Sequence, residues 1–467
     1  MNKLSQIQID TKAIFLLLIV TAVTLAGGLF IMKASTGLAF AVIAAVIIGI
    51  VSFISMEIAL YLLIISMLLG PQFIAGDATL AAARGRPGIT LRVDDFLLLI
   101  IGFSWFLKTA VRKELGLFLK TPLNRPIAYY FVACLMSTLI GYMMGRVVGA
   151  SGFFFVLKYF EYFIVYFMAV NHLKEKKQIE RFLFAMLAVC FAVCLIAIYQ
   201  IPAGGRVSAP FEGPEGEPNT LGGYLVLMLS VVLGLILTYG TNKQKFMLAF
   251  LGFLVVISLA ATHSRSSWLA LGPMGIALLY FSKKKIPIIL TLVIFLMLSP
   301  FIVPKSVTER VLFTFTQPKE AGQITVGNIR LDTSTSARLA SWENILASDF
   351  IKHPVLGYGV TGYRFVDAQY ARVLAETGLV GIIAFFILIY SIFMNALQSY
   401  RNSNDPLFIG LTLGYLAGFF AMLTHAIGAN TFIIVRIMEP FWFLTAMIIM
   451  IPEIEKTTSQ EPLIKNE

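Results

Sequence analysis

The chain has 467 residues, 58% hydrophobic and 13% charged, with a mean hydropathy of +0.85 and a formal net charge of +11. Soluble proteins carry about 25% charged residues, so this composition excludes a soluble globular class and leaves a polytopic integral membrane protein. The positive charge sits in short loops between apolar runs, which reads as membrane topology and not as a nucleic-acid patch.

A spanning helix needs about 20 mostly apolar residues. Met1–Lys12 is polar, and 13–32 is apolar, too long for a signal-peptide core and followed by more spans, so it reads as a retained first helix. Further spans are expected at 36–54, 57–74, 94–110, 127–145, 152–170, 182–201, 221–239, 245–262, 267–282, 286–303, 379–399, 407–427 and 433–451. Only Ser55 and Glu57 interrupt 36–54 and 57–74, so the total is twelve to fourteen. The predicted fold is all-α: a polytopic transmembrane helical bundle with one large extracytoplasmic loop containing short helices. Residues 1–303 form a membrane domain of about eleven spans. Residues 304–378 form the large loop, 379–452 the C-terminal spans and 453–467 a polar, disordered cytoplasmic tail.

Lys and Arg set the orientation. With the N-terminus inside, the inner loops hold fifteen basic residues, including Lys283, Lys284 and Lys285, against seven in the short outer loops. The positive-inside rule then places both termini in the cytoplasm. The outer segment 304–378 carries eight Lys/Arg and seven Asp/Glu. A loop this long in a compact protein is usually functional. Its first part, 304–335, reads as irregular. A helix follows Thr333-Ser334-Thr335-Ser336, with Leu339, Trp342, Ile345, Leu346 and Phe350 on one face, and ends at Pro354. His353-Pro354-Val355-Leu356-Gly357-Tyr358-Gly359 makes a turn, and a second helix starts near Asp367.

Several polar residues stand out against the apolar background. Arg265 lies in Thr262-His263-Ser264-Arg265-Ser266-Ser267 between two spans, on the side the positive-inside rule disfavours. Arg338 lies in the large loop. Two arginines at one membrane face suit a lipid-linked phosphate, because guanidinium stays charged and offers phosphate a planar fork of donors. Each has a plainer reading as well: Arg265 snorkelling to the interface, Arg338 on a solvated helix face. The outer loop with Gly204-Gly205-Arg206, Pro210-Phe211 and Pro218-Asn219 is either a connector or one wall of a polar cavity. Lys158 and Glu161, and Arg436 and Glu439, stand three apart within spans and read as intramembrane ion pairs. Cys134, Cys190 and Cys194 lie in apolar runs and read as packing residues. No outer Asp/Glu/His cluster has metal-ligand spacing, so no metal and no other cofactor is expected.

Taken together, Ser264-Arg265, Arg338, His353-Pro354 with Gly357-Tyr358-Gly359, and Tyr370 with Leu374-Ala375-Glu376-Thr377-Gly378-Leu379-Val380-Gly381 resemble the O-antigen ligase and polymerase family of bacterial membrane proteins. The Arg206, Pro210-Phe211 and Pro218-Asn219 loop is also similar to that family. The resemblance is clearest over about residues 200–390. It implies a metal-independent, inverting glycosyltransferase at the outer face of the plasma membrane, with an undecaprenyl-diphosphate-linked glycan as donor. The acceptor would be the lipid A core in a ligase or another lipid-linked glycan in a polymerase. It further implies that Arg265 and Arg338 hold the diphosphate. Arg206, His263, Ser264, Tyr370, Arg372 and Glu376 would be substrate-binding neighbours. Ligases commonly carry His-Asn nine residues before the position of Glu376; here Asp367-Ala368 stand there. Asp367 is therefore either a base for the acceptor hydroxyl or an N-cap. The missing His favours polymerisation of surface or exopolysaccharide repeat units. Membrane lipid is an expected partner and nucleic acid is not. A lipid-linked oligosaccharide flippase is the rival class, but it should show repeated halves and midplane charge.

Overall fold

The computed structural model describes residues 36–75, 89–112, 120–212, 216–302 and 305–464. The expected first span at 13–32 lies outside the described residues. The apolar runs fold as α1 (Thr36–Ile54), α2 (Met56–Leu69), α3 (Val93–Arg112), α4 (Asn124–Met143), α5 (Ser151–His172) and α6 (Lys176–Gln200). They continue as α7 (Pro218–Thr238), α8 (Asn242–Ala261), α9 (Arg265–Phe281) and α10 (Lys285–Ile302). Among the described residues, eight helices are long and apolar enough to cross a membrane. These include α4 to α8 and three later ones. The all-α polytopic expectation holds.

Local chemistry sets the boundaries. Ser55 separates α1 from α2 and its side chain caps the amide of Ile58. The expected span 57–74 stops early, at Leu69, because Gly70-Pro71 breaks the helix. The next residues, β1 (Gln72–Ala75), pair antiparallel with β2 (Ile89–Arg92). The stretch 304–335 is more ordered than its Thr, Ser and Gly content suggests. It holds α11 (Lys305–Thr316) and a short hairpin of β3 (Thr325–Val326) and β4 (Ile329–Arg330). Then comes α12 (Thr333–Asn344), which runs into a π-helical turn at Ile345–Asp349.

That π turn corrects the predicted apolar stripe. Ile345 is buried, and Trp342 and Phe350 pack against it with Val366, Ala368, Ala371 and Ala375. Leu339 and Leu346 are exposed; for Leu346 the extra residue in the π turn rotates the helix face. The chain closes with α13 (Gln369–Asn402), α14 (Pro406–Gly428) and α15 (Val435–Ile464). The helix α15 continues through 453–464, where the sequence reading places a disordered tail.

The packing is tightest between α7 and α14. A Cβ on Gly234 would stand 2.4 Å from the Gly410 carbonyl oxygen and from the Gly414 nitrogen. The two backbones therefore touch through glycine, as small residues allow in membrane helix pairs. A second contact fixes the loop. Gly378 interrupts α13 with φ 62°, and the turn 353–359 fills the kink. Tyr358 N donates to Ala375 O at 3.0 Å, Gly359 N to Glu376 O at 2.8 Å and Leu379 N to Pro354 O at 2.8 Å. The His353–Gly359 and Glu376–Gly378 motifs are thus two halves of one backbone clamp. Cys134, Cys190 and Cys194 are buried free thiols.

The topology is testable with cysteines introduced at Lys284 and Thr325. An impermeant thiol reagent should label position 325 but not 284 in intact cells. The reverse pattern would invert the orientation and move the large loop to the cytoplasm.

Candidate functional site at the helix N-termini

Three helix N-termini meet at one end of the bundle. Ser264 is the N-cap of α9, and its Oγ accepts from Ser267 N. The same Oγ donates to Asn219 Oδ1 at 2.8 Å, which ties the start of α9 to the start of α7. Arg265 is the first residue of α9 and reaches α12: its Nη2 donates to Asp332 Oδ2 at 2.7 Å, and Asp332 is the N-cap of α12. Its Nη1 donates to Thr314 Oγ1 of α11 at 2.6 Å. Helix N-termini brought together in this way carry positive dipole ends that favour an anion.

Four guanidinium groups crowd the same space. Arg338, on α12, donates through Nη1 to Ser334 Oγ at 3.0 Å and through Nη2 to Asp367 Oδ2 at 2.6 Å. Arg206 donates through Nε to the carbonyl of Thr262 at 3.1 Å. Partial screening from water lowers its pKa, and the charges of Arg310, Arg265 and Arg338 lower it further. Arg310, on α11, is the fourth. Burial and the charge of Arg265 lower its pKa, and its Nε is buried without a hydrogen-bond partner. Burial works to raise the Asp332 carboxyl, but the hydrogen bond and charge of Arg265 together with the hydrogen bonds from Thr335 hold it below its usual range. The backbone beside the cluster is strained: His263 is a non-glycine residue at φ 50°. Such outliers concentrate at functional sites.

The structure sorts the expected site residues. Arg206, His263, Ser264, Arg265, Arg338 and Asp367 gather here. His263 lies beside Arg206 and Arg310; partial burial and their charges lower its pKa. Tyr370, Arg372 and Glu376 are engaged elsewhere. The Tyr370 hydroxyl donates to the Leu423 carbonyl at 2.6 Å and binds α13 to α14. Arg372 Nε donates to Glu376 Oε1 at 3.2 Å, and the same oxygen accepts from Thr361 N at 3.1 Å. This pair belongs to the backbone clamp. Asp367 does not cap α13 with its side chain: the N-cap is Ala368, without a side-chain cap.

Other members of the network escaped the sequence reading. Ser267 Oγ donates to Ser264 Oγ at 2.7 Å and meets His425 Nε2 at 3.1 Å. His425 Nδ1 meets Thr431 Oγ1 at 2.7 Å. A Cβ on Gly222 would lie 2.2 Å from Ser267 Oγ, so glycine there lets α7 approach. The only sequence signal for Arg310 is its company, a basic residue among Val, Leu and Phe at helical spacing.

The intramembrane pairs are partly redrawn. Lys158 pairs with Glu161 at 3.3 Å, as expected, and also with Asp95. Arg436 does not pair with Glu439. It faces Glu212 at 3.7 Å, while Glu439 faces Arg92 at 3.6 Å. Arg436 also donates to the carbonyls of Leu68, Gly70 and Pro210 at 3.0, 2.9 and 2.7 Å. Within this cluster Asp94, Glu161 and Glu439 bring carboxylate oxygens within 4.8 Å of one another. Arg92 and Lys158 thread the same group.

Residues 250–386 match the sequence model of a family described as O-antigen ligase. That segment, from within α8 into α13, is similar to the O-antigen ligase family. The chain's spanning-length helices make it a multi-pass membrane protein. The O-antigen ligase match includes Arg265, Arg310, Asp332, Arg338 and Asp367, and leaves Arg206 and the start of α7 outside it. No curated protein matches the chain.

Proposed function

We propose that this protein is a glycosyltransferase of the outer face of the bacterial plasma membrane that joins undecaprenyl-diphosphate-linked glycans. Polymerisation of surface or exopolysaccharide repeat units is the favoured reaction. The observation that carries this reading is the convergence of four arginines on three helix N-termini. In the transfer, an acceptor oxygen attacks the anomeric carbon from the face opposite the leaving group. The bond from that carbon to the diphosphate oxygen breaks, and its electron pair stays on the diphosphate. Negative charge therefore grows where the guanidinium groups converge. Fixed donors in a poorly hydrated cleft stabilise that charge more in the transition state than in the ground state. This accounts for Arg265, Arg338, Arg206 and Arg310 without assigning any of them a proton-transfer role. Asp332 and Asp367 hold two of the four in place.

A ligase acting on a lipid A core is the alternative within the same chemistry. Asp367, standing where ligases carry histidine, favours the polymerase. The flippase reading draws support from one observation, the intramembrane charges around Arg92, Lys158 and Glu439. Those charges lie largely in ion pairs with one another, and the larger set of cations lies at the helix N-termini.

Cells lacking the protein decide among these readings through their lipid-linked glycans. Single repeat units on the carrier, displayed outside, are the expected result. Full-length polymer on the carrier would identify a ligase. Units retained on the inner face would identify a flippase.

A further inference from the structure

We propose that Glu217 takes the proton from the acceptor hydroxyl, a role that rests on the transferase reading above. Glu217 is the N-cap residue of α7, two residues before Asn219, which accepts a hydrogen bond from Ser264. It therefore stands next to the tie between the start of α7 and the N-cap of α9, the residue before Arg265. Its charge faces Arg206 in its own loop, Arg338 of α12 and Asp367 before α13.

Its main chain is anchored. The Glu217 amide donates to Glu212 Oε2 at 2.9 Å, and Glu212 in turn faces Arg436 of α15 at 3.7 Å. A membrane helix thereby fixes the backbone from which this carboxylate projects. The carboxylate itself is open. It keeps a solvent-exposed face, and no hydrogen bond to it occurs among the described residues. Asp367 differs, because its Oδ2 is occupied by Arg338 at 2.6 Å.

Two carboxylates in one site with different surroundings take different roles. Partial burial and the nearby charge of Asp367 raise the pKa of Glu217, against the opposing pull of Arg206 and Arg338. A raised pKa makes the ionised form a stronger proton acceptor. During transfer the acceptor O–H bond breaks, its proton goes to a Glu217 oxygen and its electron pair forms the new bond to the anomeric carbon. The diphosphate departs with the electrons of the broken bond. The proton passes later to water.

The test is steady-state turnover of purified protein with lipid-linked donor across pH, together with donor binding. Glu217 is inactive as a base when protonated. Wild-type turnover should therefore fall as pH falls through its raised pKa, giving an acidic limb above the ordinary carboxylate range. Glu217→Gln should lower kcat by about 10²-fold or more, abolish that limb and retain donor binding. Glu217→Asp should turn over slowly and keep a limb. Asp367→Asn should weaken donor binding through Arg338 and keep a limb, moved to lower pH by the loss of the Asp367 charge. Full turnover by Glu217→Gln, or a limb that disappears in Asp367→Asn instead, would overturn the proposal. So would Gln and Asp variants that both fail to fold, since Glu217 is then structural. Donor binding by Arg265→Ala separates the two levels. If that variant loses binding while Glu217→Gln turns over normally, the arginine site stands and the base assignment falls. A wild type that transfers nothing from lipid-linked donor sinks both.

Discussion

Arg265→Lys should impair transfer almost as severely as Arg265→Ala, by about 10²–10³-fold for either. The guanidinium of Arg265 spreads its two ends over Thr314 of α11 and Asp332 of α12. Lysine keeps the charge as one point at the end of a flexible stem and lacks the planar fork. It can satisfy Asp332 or face a phosphate, but it cannot bridge two elements while doing so. Turnover, donor binding and thermal stability should be measured together. Wild-type turnover in the lysine variant would show that charge alone suffices and that a forked contact is the wrong description. A large loss of stability with normal turnover per folded molecule would make Arg265 a strut between α9 and the outer loop.

Arg436→Met should be among the most destabilising single changes in the chain, at about 3–5 kcal/mol. Arg436 is 2% exposed and holds the carbonyls of Leu68, Gly70 and Pro210 along with the Glu212 carboxylate. Methionine fills much of the same volume, so the cost comes from polar groups left buried without donors. The orphaned Glu212 carboxylate is the most costly of these. Burial already raises its pKa, with Arg436 opposing; without Arg436 the group should take up a proton. Adding Glu212→Gln to Arg436→Met should therefore recover part of the lost thermal stability. A single Arg436→Met variant that melts with the wild type would show that the carbonyls find water instead.

The spans were legible because hydrophobic runs bounded by charge report directly on the bilayer. Arg265 was legible for a related reason: an arginine on the disfavoured side, next to a serine that could cap a helix, has few structural explanations. The partners of the charged residues were not legible. Arg436 and Glu439 share a helix face at i, i+3, yet Arg436 pairs with Glu212, more than two hundred positions away in the chain. Only the packing of α15 against the outer loop creates that pair. The same limit applies to Arg310, which lies in a stretch whose Thr, Ser and Gly content resembles a loop. Tyr370, Arg372 and Glu376 have structural partners that their motif does not announce: their side chains join the helix pair and the helix kink.

Two arginines of the site already have internal carboxylate partners. Arg265 already holds Asp332, and Arg338 already holds Asp367. If these arginines receive a diphosphate, it arrives as an ion exchange in which phosphate oxygens take the places of internal carboxylates. Measured donor affinity is then a difference between two anions and understates the strength of either contact. The exchange also runs backwards. After transfer the internal carboxylates compete for the same guanidinium groups and help expel the spent carrier, so a site built to grip a growing charge does not have to keep it.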